Sequence, residues 1–113
     1  MHGIRAAQLA GLTARVAAAC AALESLADDD PVRADERLPE ARACAAELLE
    51  LLREGARARL PEEAVAPLRD AAEVLLPLID GEDPAPGGLP ERADAALAPA
   101  AQALHRLRGL AGG

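Results

Sequence analysis

Four times along this chain, leucine, alanine and valine recur three and four residues apart, the spacing that an α-helix gathers onto one face. Leu12, Val16, Ala19, Leu23 and Leu26 make the first stripe. Leu38, Ala41, Ala45, Leu48 and Leu52 make the second. Val65, Leu68, Ala72, Leu75 and Ile79 make the third, and Ala93, Leu97, Ala100, Leu104 and Leu107 the fourth. Phe, Trp and Tyr are absent. The core must therefore be filled by aliphatic side chains, which suits closely approaching helices and suits β-sheets poorly.

Local signals bound these helices. The run Leu-Pro-Glu occurs at 38–40, 60–62 and 89–91, each time where a stripe begins. Proline is pre-organised for the first helical turn and glutamate there favours the helix dipole. The pattern predicts helices over about 4–27, 38–54, 61–80 and 89–109. Asp28, Asp29, Asp30 and Pro31 end the first, and a polar connection follows to Glu36. Gly55 is expected to end the second, and Asp80 with Gly81 to close the third. Pro67 falls near a first turn and is tolerable, whereas Pro77 and Pro99 are expected to kink their helices. Residues from Leu110 onward are expected to fray. Asp29-Asp30-Pro31 before the second helix is echoed by Glu82-Asp83-Pro84 before the fourth, so the chain reads as two similar helical hairpins. Short connections favour antiparallel neighbours. The expected fold is a single all-α domain of 113 residues, an antiparallel up-down-up-down four-helix bundle.

The charge balance narrows the partners. Twelve basic residues face nineteen acidic ones, a formal charge of −7. An acidic chain with no basic run and no aromatic to stack on bases is not expected to bind nucleic acid or an anionic membrane. A basic protein is the better electrostatic match. Every basic residue is arginine, which with so much Ala, Gly and Pro points to a GC-rich, bacterial coding bias. Arg15 interrupts the apolar run before Cys20 that an export signal would need. No stretch is expected to span a membrane, and the expected compartment is the cytoplasm.

Candidate sites are few. The topology brings the connections after the first and third long helices to one end, where Asp28, Asp29, Asp30, Glu82 and Asp83 would form an acidic surface for a basic partner. Carboxylates at helix C-termini are unfavourable against the dipole, so the cluster is either solvated or used. Asp80 and Glu91 have the separation of the first and last ligands of a calcium-binding helix-loop-helix, but Pro84 and Ala85 stand where that loop wants a ligand and a glycine. No metal or cofactor site is expected. Leu49, Leu51, Leu76 and Leu78 widen the apolar arcs of the second and third long helices beyond what one seam uses, and they are expected to drive a two-fold homodimer. Cys20 and Cys44 fall at similar heights on neighbouring helices, where axes about 8–10 Å apart leave two free thiols rather than a disulfide.

Leu104-His105-Arg106-Leu107-Arg108-Gly109 resembles, over six residues, the histidine-Leu-basic-Gly run of histidine phosphotransfer domains, which are also helical bundles. The resemblance implies an exposed phosphoacceptor at His105 with Arg106 and Arg108 offsetting phosphate charge. Leu23-Glu24-Ser25-Leu26 resembles the Asp-Ser-Leu of acyl carrier proteins, but Ser25 lies near the end of a helix rather than at its start. The expectation is a non-enzymatic protein–protein interaction module, an adaptor or small partner subunit, with phosphotransfer through His105 as the alternative.

Overall fold

A computed structural model describes residues 5–112. They are 83% helical, with no strand among them. The helices are α1 (Ala6–Ala27), α2 (Pro31–Glu36), α3 (Leu38–Arg57), α4 (Glu62–Ile79) and α5 (Leu89–Gly112). The four long ones form a ring in which α1 touches α3 and α5, and α4 touches the same two. Cross-helix contacts set the directions. Cys44 lies beside Ala19 and Arg37 beside Ser25, so α3 runs against α1. Arg42 reaches Leu78 while Leu60 lies over Gly55, so α4 runs against α3. The expected all-α, four-helix-bundle arrangement is what the chain adopts, in a body of 49 × 24 × 19 Å.

One core cluster joins all four long helices and takes in Ala34 from α2. Every member of the first sequence stripe is buried, as are Leu48, Leu68, Leu75, Ala93, Ala100 and Leu107. α5 meets both α1 and α4, and it buries Ala93, Ala96, Ala100 and Ala103 between them. Methyl groups at those positions let three backbones come close. No buried polar side-chain atom in the described residues lacks a partner, as a folded core requires.

Four local expectations are corrected. The polar connection from 31 to 36 is the helix α2: Asp30 caps it by accepting from the Val32 N–H at 2.9 Å, with Pro31 in its first turn. An aspartate followed by proline is itself a helix-start signal. Gly55 does not end α3. It is buried within it, and a Cβ there would lie 2.9 Å from Leu60 Cδ1. α5 continues in helix through Leu110 to Gly112. Pro67 is accommodated inside α4 as expected, and α4 and α5 remain helical past Pro77 and Pro99. Each proline removes one backbone donor, and packing on two neighbouring helices offsets that loss. Finally, α1 is long and apolar enough to cross a membrane by length and composition, reaching a mean hydropathy of 1.4, contrary to the expectation that no stretch would be. In the bundle its leucines are packed in the core and a third of that window is buried.

The true end of α3 is a left-handed turn. Arg59 has φ 60°, the Leu60 N–H donates to Gly55 C=O at 3.0 Å, and the Arg59 N–H donates to Ala56 C=O at 3.2 Å. α4 ends with the same pair of bonds, Glu82 to Pro77 and Gly81 to Leu78, but there glycine takes the left-handed position, φ 91°. A residue with a Cβ costs roughly 1–2 kcal/mol in that conformation. Arg59→Gly is therefore expected to raise unfolding free energy by about 1 kcal/mol, read from a denaturant midpoint. An unchanged or lower midpoint would mean that the Arg59 side chain contributes as much as its backbone strain costs.

Candidate functional site

The acidic end forms where sequence reasoning puts it. Asp35, on α2, accepts from the Gly87 N–H at 3.2 Å, so the segment after α1 and the loop after α4 touch. Three of the five acids expected to bind a partner are engaged within the fold. Asp29 accepts from Arg37 Nη1 at 3.0 Å and from the Asp30 N–H at 2.8 Å. Asp30 is the α2 cap. Asp83 accepts from Arg42 Nη2 at 2.7 Å, while Arg42 Nε donates to the Leu78 carbonyl at 3.2 Å. Arg37 also holds Glu40 at 2.8 Å and reaches the Ser25 carbonyl. These arginines tie the loops to α3 and draw off much of the negative charge. Asp28 and Glu82 stay exposed without an ion-pair partner among the described residues. No group of three or more metal-ligating side chains occurs among the described residues.

The leucine surface is largely internal. Leu51 and Leu78 are each 1% exposed and belong to the core. Leu49 is partly buried against it. Only Leu76 stands out, 41% exposed. In the ring each helix meets two neighbours, so a wide apolar arc is consumed inside one chain. Leu51→Glu would consequently place a charge in the core and report on folding rather than on pairing.

His105 is exposed on α5 and borders a shallow groove of about 210 Å³ with Glu63, Arg106 and Gly109. Cys20 and Cys44 are free and buried. The Cys44 thiol points at the Ala19 carbonyl at 3.8 Å, and burial pushes it up to about 11. Both thiols are kept protonated and unreactive. A larger groove of about 530 Å³ lies between α4 and α5, walled by Val74, Pro77, Pro84 and Ala95 with Glu91 and Arg92 alongside.

Sequence reasoning missed the network between α1 and α3. Arg15 donates through Nη2 and Nε to Glu47, at 2.8 and 3.1 Å, and through Nη1 to Glu54 at 2.6 Å. The signal for it was present, a single basic residue in the middle of a largely apolar helix. Arg15 holds the Glu47 carboxyl below the usual carboxylate range, and Arg37 does the same for Asp29 and Glu40. Carboxyls depressed in the fold contribute stability above their unfolded pKa and lose it as pH falls through the folded one. Stability is therefore expected to hold from about pH 7 to about pH 5 and to decline below about pH 4.5. In Glu47→Gln that acid decline should shrink by about 1 kcal/mol or less, because the pair is half exposed. Thermal melts across this range check the sign, and greater stability in acid would contradict it.

Comparison with protein-family models, with curated proteins and with solved structures finds no match to this chain.

Proposed function

We propose that this chain is a non-enzymatic interaction module, a helical bundle that works by presenting its surface to another protein. The observation that carries the reading is the outward side of α1. Ala7, Gly11, Ala14, Ala18 and Ala21 are all exposed there. Arg15 and Glu24 are the only charges in the 22 residues of α1, and Arg15 is turned onto α3. The outer faces of α3 and α4 carry repeated charges, and that of α5 carries them toward both of its ends. A long uncharged helix side on a soluble fold marks an interaction site more often than chance apolarity does. The acidic end, through Asp28 and Glu82, is the second surface and suits a basic partner.

Photo-crosslinking in cells tests this reading. A benzophenone side chain at Ala18 or Asp28 is expected to trap the same discrete protein repeatedly, while one at Asp70, on the outer side of α4, is not. Equal, diffuse labelling from all three positions would overturn the proposal. Replacing Asp28 and Glu82 with their amides is expected to weaken capture at the acidic end and leave helicity intact. Adding Asp29, Asp30 and Asp83 to that set would also loosen the loops that they brace.

One observation favours the alternative, phosphotransfer. His105 is exposed beside Arg106 in a shallow groove, as a phosphoacceptor must be. Under that reading labelled phosphate from a relay of the same genome appears on the chain and is lost in His105→Gln.

A further inference from the structure

We infer that the partner at the acidic end is a second copy of this chain, which docks there with the opposite end of its own bundle. The inference rests on the reading of the acidic end as a protein-binding surface, and it names the occupant. The bundle is electrically lopsided, and each end carries what the other lacks.

Residues 28–36 and 80–83 hold eight of the chain's nineteen acidic residues and a single arginine, Arg33. Arg37 and Arg42 reach in from α3 to Asp29 and Asp83, and a negative excess still remains. Among these acids lies an apolar groove of about 210 Å³, walled by Leu38, Pro84 and Pro86 with Asp35 and Asp83 alongside. Leu38 and Pro84 are only half-buried and Pro86 is exposed, so one chain leaves this apolar surface uncovered. Val32, on α2 at the same end, is 71% exposed.

The opposite end is basic. α5 leaves the acidic end and runs 24 residues, about 36 Å, to a groove that its last turns share with Glu63 at the start of α4. α3 ends there and α1 begins there. Arg5, Arg53, Arg57, Arg59, Arg106 and Arg108 gather at this end, half of the chain's arginines, and all are exposed. Among the described residues only Arg53 of these six has an ion-pair partner. Glu54 and Glu62 nearby are already held by Arg15 and Arg69. Leu110 stands exposed beside Arg106. An exposed leucine flanked by arginines is what an acidic groove with proline walls receives, the isobutyl group between the prolines and the guanidinium groups on the carboxylates.

The net charge of −7 does not prevent this contact. The bundle is 49 Å long, and charges are screened over about 8 Å at physiological salt. In an end-to-end pair the two acidic ends stand several screening lengths apart, so only the facing surfaces act on each other. Those surfaces differ, so the contact is heterologous. Each pair keeps one free groove and one free basic end, and the assembly grows into rings or open chains rather than stopping at two.

Sedimentation of the purified full chain from about 10 µM to about 1 mM should show an average mass that rises past that of a dimer, and that falls when salt is raised from about 0.05 M to about 0.5 M. Glu36→Arg with Glu82→Arg alters the groove end at two exposed acids. Arg106→Ala with Leu110→Ala removes the docking segment. Each double variant alone is expected to associate at least about tenfold more weakly. An equimolar mixture of the two should form a dimer and stop there, because one intact groove then meets one intact basic end. Circular dichroism of each variant checks that its fold is intact. Three results would overturn the inference: a monomer at every concentration, an unmodified chain that stops at a dimer, or association indifferent to either double variant. A monomer whose Asp28 crosslinks still converge on another protein would retain the interaction reading and remove only the second copy. A monomer with diffuse crosslinks would remove both.

Discussion

Leu23→Ala is expected to lower the unfolding free energy by about 2–5 kcal/mol. Leu23 is fully buried on α1, in a core of leucine, valine and alanine with two cysteines and no aromatic. Truncation removes the transfer free energy of three carbons and leaves a cavity beside them. No large flexible side chain stands ready to collapse into the space, since the chain has a single methionine and no aromatic. Domains of this size are stable by roughly 5–15 kcal/mol, so one substitution takes a large fraction of the total. The denaturant midpoint should fall while the dependence on denaturant keeps its slope. Leu110→Ala, at a position 36% exposed on α5, is the control and should change little. A Leu23→Ala midpoint as high as that of Leu110→Ala would mean that the site is not packed as described.

The second large effect runs the opposite way in volume and the same way in stability. Ala100→Leu adds apolar atoms, yet it is expected to cost about 1–3 kcal/mol or more. Ala100 is fully buried, on the side of α5 that lies between α1 and α4. The alanines there set how near the three helices stand, so an isobutyl group must push at least one of them away. Ala101→Leu, one residue on and exposed, should be close to neutral. Thermal melts of the pair give the comparison. A stabilised Ala100→Leu would reveal unfilled space in the seam. The same reasoning explains how the chain forms a core without aromatics: close approach takes the place of bulk.

Local periodicity accounts for the four long helices and for the side of each that turns inward. The 3.6-residue repeat is written into neighbouring residues and needs no knowledge of what lies across the core. Leu12, Val16, Leu23, Leu48, Leu68, Leu75 and Leu107 are buried as their spacing requires. The acidic end was legible for the same reason, since short connections oblige the loops after α1 and α4 to share one end. Width was not legible. Leu51, Leu78, Ala96 and Ala103 lie beside the main stripes, and they are buried only because each long helix packs against two others. The roles of the charges were hidden as well. Arg42 meets Asp83 and Arg15 meets Glu47 and Glu54 across 41, 32 and 39 residues of sequence. An arginine's reach is long and its partners are chosen by which helix stands alongside. Only the assembled ring decides which acids brace the loops, which leucines are spent inside, and which helix is left with an uncharged side toward water.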